Sequence, residues 1–181
     1  MTARDFLVRE ARLGDAMAIA RIYIGSWHDT YAGILPARGL LGMDIERQAA
    51  RWRSAIAMPG REAVLVAESY KETILGITSL GRARDSDLGF GGEIYTLYVD
   101  PMATGNGIGR ALMHAGFEAL SEREFGGCLI WAHAQNPARF FYQAMGGKLV
   151  AERVTSMMGM SVPEVAFGWK RLALAEASRA P

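Results

Sequence analysis

Residues 93–100 read EIYTLYVD, and the chain then passes through Pro101 into Thr104-Gly105-Asn106-Gly107-Ile108-Gly109-Arg110. Aromatic and β-branched residues in the first segment predict a buried strand. Beyond the glycines, Ile108, Leu112, Ala115 and Ala119 recur at helical spacing, so a long helix is expected over residues 105–124. Glycine reaches φ > 0 without steric cost and lets a backbone come close to a ligand. The strand must therefore turn directly into a helix whose N-terminus stays uncovered. The first N–H groups of a helix have no intrahelical acceptor and carry a partial positive charge, which suits a phosphate bound through backbone alone.

The remaining segments supply layers for this strand–turn–helix unit to pack into. Residues 6–10 form a short first strand, and Met17, Ile19, Ala20, Tyr23 and Ile24 mark an amphipathic helix after Gly14-Asp15. Residues 25–36, with Trp27, His28, Tyr31, Gly33 and Pro36, read as an irregular aromatic connection. Asp44 caps a second helix carrying Ile45, Ala49, Trp52 and Ile56, which Pro59-Gly60 ends. Residues 63–68 and 73–80 are apolar strands joined at Lys71-Glu72. After the long helix come a fifth strand at 127–134 and a short helix capped by Asn136 with Pro137 in its first turn. Gly146-Gly147 stops that helix, and closing strands follow at 148–154 and 164–171. No repeat or linker divides the chain, so residues 1–172 are expected to form one α/β domain and residues 173–181 a flexible tail.

Composition removes several function classes. A net charge of +1 with dispersed basic residues disfavours nucleic acid as the main ligand. His28, His114 and His133 lie too far apart for zinc-ligand spacing, so no metal is expected. The single cysteine, Cys128, cannot form an internal disulfide and reads as a buried thiol beside Leu129, Ile130 and Trp131. No apolar run approaches the roughly 18 residues of a membrane span, and the N-terminus has no secretory h-region. A cytoplasmic location is the default expectation.

Two other glycine-rich phosphate sites fit poorly. A P-loop requires Gly-Lys-Ser/Thr, but here Gly109 is followed by Arg110-Ala111. A dinucleotide fold places its glycines after the first strand, with an acidic residue at a strand end about 20 positions on. Here the glycines follow the fourth strand, and Glu122 and Glu124 fall in a helix. A coenzyme A diphosphate remains the better fit.

At this point the sequence resembles the GNAT superfamily of N-acetyltransferases, over nearly the whole chain and in order. The family signature Gln/Arg-x-x-Gly-x-Gly/Ala is met by the run from Thr104 to Gly109, with Thr104 where Gln or Arg is usual. An independent second block, Asn136 followed by Phe141-Tyr142 and Gly146, matches as well. The resemblance implies the acyl-CoA N-acyltransferase fold: an α/β (α+β) architecture with a mixed, largely antiparallel central sheet of about seven strands flanked by helices. It implies an enzyme that transfers the acetyl group of acetyl-CoA to a primary amine by direct attack. A non-catalytic CoA-binding module of the same fold is the alternative, to which the Thr104 departure gives weight.

The roles follow by resemblance. Thr104, Gly105, Asn106, Gly107, Ile108, Gly109 and Arg110 would hold the diphosphate, and Asn136 the pantetheine arm. That arm would pair with Leu97, Tyr98 and Val99, with the Val99 or Leu97 N–H donating to the thioester oxygen. Tyr142 would protonate the leaving thiolate; a phenol of pKa about 10 suits that task. Glu93, from its place at the start of the fourth strand, is expected to be the base, directly or through water, with His133 and His28 in reserve. Trp27, Tyr31 and Trp52 are the expected acceptor-binding aromatics. The acceptor is expected to be a small-molecule or peptide amine, and exposed strand edges near the C-terminus leave a homodimer open.

Overall fold

The computed structural model describes residues 5–172 apart from Pro59, Arg61 and Ser86; the tail expected at 173–181 lies outside the described residues. Seven strands form one sheet in the order β1-β2-β3-β4-β5-β7-β6. They are β1 Phe6–Glu10, β2 Glu62–Ser69, β3 Ile74–Arg82, β4 Gly92–Val99, β5 Cys128–His133, β6 Lys148–Met157 and β7 Met160–Trp169. Only the β4–β5 pair is parallel; every other neighbour is antiparallel. The sheet is therefore mixed and largely antiparallel, as the resemblance implied.

Helices cover both faces. α4 (Ile108–Glu122) forms the crossover between β4 and β5. It buries Ile108, Ala111, Leu112, Met113, Gly116, Phe117 and Leu120, a stripe at spacings of three and four. Phe117, Leu120 and Met113 pack with Leu80, Ile94 and Ile130 of the sheet. Full burial of such side chains is worth about 1.5–3 kcal/mol each. α5 (Ala138–Ala144) adds Tyr142 to the same cluster. On the other face lie α1 (Ala16–Tyr31), α2 (Ala37–Leu41) and α3 (Ile45–Ala57). Ile19, Ala20, Ala49 and Trp52 pack there on Val64, Val66, Ile74 and Ile77. These helices cover the β1–β4 side of that face. Tyr31, Leu35 and Leu40 reach Val162 of β7, and the rest of the β5–β7 side is left largely to side chains of the strands themselves.

Three local expectations need correction. The stretch 25–36 is not irregular throughout, because α1 runs on to Tyr31. Tyr23, Trp27 and Tyr31 stand four residues apart, and their rings pack in series at centroid distances of 5.5 and 5.0 Å. That packing outweighs the helix-weakening Gly25. The helix expected from residue 105 begins instead at Ile108, since Gly105 and Gly107 have φ of +80° and +78°. The closing strands run longer toward one another than expected, turning through Met158 and Gly159, both at positive φ. This tight hairpin turn carries a methionine where Asn, Asp or Gly is usual. β6 is an edge strand with exposed Lys148, Glu152 and Arg153, charges that discourage addition of a further strand.

Candidate active site

β4 and β5 share three residue pairs, Gly92 with Cys128, Glu93 with Leu129 and Ile94 with Ile130, and then part. Two constraints pull them apart. Opposite β3 the register of β4 slips between Ile94 and Thr96, so that Tyr95 is an extra residue and the strand bends. β5 meanwhile follows β7 as far as His133. Between the diverging strands lies a cleft of about 720 Å³ that runs from Tyr95 to the glycine turn.

The wall of this cleft is a strand edge with unused pairing capacity. Asp100 donates its N–H to the Leu75 carbonyl on β3 at 2.8 Å. Because successive N–H groups alternate in direction, those of Val99 and Leu97 face the opposite edge, which β5 has left. The Val99 carbonyl accepts a hydrogen bond from the Ser26 hydroxyl of α1 at 3.3 Å.

The glycine turn closes one end. The first helical bond of α4 runs from the Ala111 N–H to the Gly107 carbonyl at 3.0 Å, so the N–H groups of Ile108, Gly109 and Arg110 precede it and have no intrahelical acceptor. A Cβ placed on Gly105 or Gly107 would meet nothing within 4 Å; left-handed backbone, not packing, selects glycine at these two positions. Side chains brace the turn from within. Thr104 donates its hydroxyl to the Pro101 carbonyl at 3.1 Å, and the Asn106 amide donates to the carbonyls of Ala103 and Thr104 at 3.2 and 3.3 Å. Asn106 therefore points back into the turn and does not line the cleft, whereas Arg110 does.

Three tyrosines gather at the inner part of the cleft: Tyr31 from α1, Tyr98 from β4 and Tyr142 from α5. Burial raises the pKa of Tyr142, with a further push from Tyr31. Burial also lifts Tyr98 well above its usual value, reinforced by Tyr31, Tyr23 and Tyr142. Tyr31 is raised by burial against the pull of the Asn136 side chain. All three therefore remain neutral hydrogen-bond donors at neutral pH. Tyr142 is wedged between Phe141 and Phe167, at centroid distances of 5.6 and 5.9 Å. Asn136 accepts the Ala138 N–H at 2.9 Å, so its side chain still serves the first turn, although α5 starts one residue later than expected, with Pro137 at its N-cap.

Of the residues singled out from the sequence, Leu97, Tyr98, Val99, Thr104, Gly105, Gly107, Ile108, Gly109, Arg110, Asn136, Tyr142 and Tyr31 line this one cleft. Four do not. Besides Asn106, Trp52 sits in the core beneath α1 and α3, edge-on to Tyr23. Trp27 stands behind the wall and donates its indole N–H to the Tyr98 hydroxyl at 3.0 Å. Glu93 is fully buried outside the cleft and held by Arg84. It accepts the Arg84 backbone N–H at 2.8 Å and Nε–H at 3.0 Å, and Nη2 as well. A carboxylate so engaged is not presented to the cleft.

The reserve histidines are constrained too. His133 Nδ1 accepts the Gln135 N–H at 3.0 Å, which puts the proton of the neutral ring on Nε2. His28 donates from Nε2 to the Leu40 carbonyl at 2.8 Å. Tyr95 and Trp131 line the cleft without having been expected there, and Ser26, Asp29 and Thr30 join Tyr31 from the same run of α1. Ser26 and Thr30 stand one helical turn apart, a spacing that becomes visible only once α1 is seen to continue to Tyr31.

Residues 23–146 match the Acetyltransferase (GNAT) family, and this span contains the whole cleft lining. The chain belongs to the GNAT acetyltransferase family. This acetyltransferase is 34% identical over 165 residues to the Bacillus subtilis (strain 168) protein described as uncharacterized N-acetyltransferase YuaI, covering 91% of this chain and 93% of that one. Its fold resembles the PaiA N-acetyltransferase of Thermoplasma acidophilum, solved with coenzyme A, at TM-score 0.68 and 20% identity over 91% of this chain and 98% of the other. It also resembles YncA of Salmonella typhimurium, solved with acetyl-CoA, at TM-score 0.69 and 22% identity over 97% and 99% of the two chains. Among the described residues no helix is long and apolar enough to cross a membrane, and no group of three or more His, Cys, Asp or Glu could hold a metal ion.

The tyrosine cluster of the acetyltransferase makes its stability depend on alkaline pH. A buried phenol whose folded pKa is raised adds stability in full below its unfolded value of about 10, and that stability falls away as pH rises above it. We expect phenolate absorbance of Tyr31, Tyr98 and Tyr142 to emerge only together with loss of tertiary structure above about pH 10. Tyr→Phe variants at these positions identify the signals in a spectrophotometric titration. Their reversible ionisation near pH 10 in the folded protein would contradict the burial described.

Proposed function

We propose that the cleft binds acetyl-CoA and that the chain transfers the acetyl group to a primary amine carried by a small molecule or a peptide. The observation that carries this reading is the parting of β4 from β5, which leaves a strand edge leading to an uncovered helix N-terminus. The residues fit the cosubstrate at both ends. Backbone N–H groups of Ile108, Gly109 and Arg110 suit a diphosphate, and all three residues line the cleft. The N–H groups of Leu97 and Val99 suit the amide-bearing pantetheine arm. Bound acetyl-CoA supplies an acetyl group already activated as a thioester.

The chain's own residues do the rest. A strand N–H, that of Val99 or Leu97, holds the carbonyl oxygen where negative charge develops; one fixed donor of this kind is worth about 3 kcal/mol. Tyr142, kept protonated by burial, donates a hydrogen bond to the departing sulfur. Its raised pKa makes full proton transfer harder, so its main contribution is a neutral donor fixed at the right place. Glu93, committed to Arg84, takes no part in deprotonation, and the acceptor enters as the free amine after losing its proton to solvent. After attack on the thioester carbon the nitrogen gives its second proton to solvent, and the thiolate expelled by C–S cleavage takes one up to leave as free CoA thiol. One chain builds this whole site, so a homodimer is not required for it. The second reading is a module that binds CoA without turnover; Thr104, whose hydroxyl is turned to Pro101, lends the diphosphate no side-chain donor.

Release of free thiol from acetyl-CoA in the presence of an amine panel separates the two readings. Tyr142→Phe is expected to keep CoA affinity, measured by calorimetry, and to lower kcat at least tenfold. Unchanged kcat with a good acceptor removes Tyr142 from the chemistry. The pH dependence tests Glu93. The rate should climb toward the acceptor amine's own pKa, near 10 for an alkylamine. Glu93→Gln should leave that inflection in place; an inflection well below the amine's pKa in the unaltered protein, which Glu93→Gln moves up to it, would restore Glu93 as the base.

A further inference from the structure

Where the helix-covered β1–β4 part of the α1-side face meets the open β5–β7 part, two matched side-chain stacks lie side by side. Over β4, the Arg84 guanidinium lies 4.9 Å from the Tyr95 ring centroid. Over β5, the Arg153 guanidinium lies 3.8 Å from the Trp131 ring centroid. Tyr95 and Trp131 both line the cleft just beyond the last β4–β5 pair, one on each diverging strand. Each guanidinium is also tied to a carboxylate, Arg84 to Glu93 and Arg153 Nε to Glu164 at 2.7 Å.

The two pairs are asymmetric in the same way. Side-chain exposure is 63% for Arg84 against 1% for Glu93, and 39% for Arg153 against 10% for Glu164. The buried carboxylates and the aromatic rings fix the guanidinium planes, while the cations are the partners turned to solvent. Nη1 of Arg84 and both Nη1 and Nη2 of Arg153 make no hydrogen bond among the described residues. The stacks stand on neighbouring strands, Tyr95 one residue beyond Ile94 and Trp131 one residue beyond Ile130, the last β4–β5 pair; Arg84 holds its proton more tightly chiefly because of Glu93, and the Glu164 carboxylate adds to the effect. A held guanidinium with its outer edge unused is pre-organised for a planar, bidentate acceptor, and the ordering cost of binding is already met.

We infer that Arg84 and Arg153 recognise a carboxylate on the acceptor, so that this acetyltransferase acts on amines that are also carboxylic acids. The acid end lies between the Tyr95 and Trp131 stacks and the amino group reaches into the β4–β5 cleft. The inference rests on the acetyl-transfer reading. It separates an amino acid or the free C-terminal end of a short peptide from a polyamine, whose second cation would meet the two guanidiniums unfavourably.

Thiol release is measured with the α-amino acids, β-alanine and 4-aminobutyrate, each beside its carboxamide, and with putrescine and spermidine. We expect kcat/KM for the best free acid to exceed that of its own amide at least tenfold in the unaltered protein. Arg153→Met and Arg84→Met should raise KM for that acid at least tenfold and erase the acid-over-amide preference, leaving KM for acetyl-CoA unchanged. Arg→Lys at the same positions keeps the charge and should restore part of the preference, whereas a merely structural role would change kcat/KM for the acid and its amide alike. Equal or better use of the amides or polyamines overturns the inference, as does a preference that survives both Met variants. So does a protein that binds CoA and acetylates none of these acids. Failure to bind CoA at all counts instead against the acetyl-transfer reading.

Discussion

Parallel pairing of β4 to β5 stops after three residue pairs, and the rest of the site depends on where it stops. If the strands had stayed paired, the Leu97 and Val99 N–H groups would be satisfied within the sheet. The extra residue Tyr95 bends β4 away at the point where β5 remains fixed to β7. A sheet interior thereby acquires an edge, and an edge in a covered position needs a hydrogen-bonding partner. The glycine turn lies at the open end of that gap because it directly follows the strand that bends. Strand edge and helix N-terminus thus come as one unit, which suits a long ligand with amides in its middle and phosphates at one end.

The two sides of the cleft differ in chemistry for reasons of burial. Toward α5, Tyr142 is packed between aromatic rings and stays neutral, so it can donate to a leaving group without adding charge to the core. Toward the open half of the opposite face, Arg84 and Arg153 appear in pairs with Glu93 and Glu164, each carboxylate buried and each guanidinium outward. A buried carboxylate without its arginine would be costly, so the position of each arginine is tightly determined. Glu93 belongs to this second group. Its place at the start of β4 suggests a base, whereas in the fold its carboxylate engages Arg84.

The parts of the site legible in the sequence are those that backbone geometry dictates locally. Gly105 and Gly107 are required by their positive φ, and Asn136-Pro137 announces the start of α5 because a cap and a fixed φ act within a few residues. Tyr142 follows from its block. What could not be read depends on long-range partners. The engagement of Glu93 by Arg84 arises across the loop between β3 and β4. The seat of Arg153 on Trp131 has no local signature either, since it joins β6 to β5 across the intervening β7. Trp27 and Trp52 could equally face a ligand or the core; only the continuation of α1 to Tyr31 decides that Trp27 stands behind Tyr98 and Trp52 beneath Tyr23.

The central claim, that one strand edge and one helix N-terminus hold the cosubstrate through backbone N–H groups, is tested most directly by amide NMR. Assigned proton–nitrogen correlation spectra recorded as CoA is added should show the largest shifts at Leu97, Val99, Ile108, Gly109 and Arg110. Amides of β1 and β2, on the far side of the sheet, should stay in place. Binding that moves other amides while these five remain unperturbed would contradict the account.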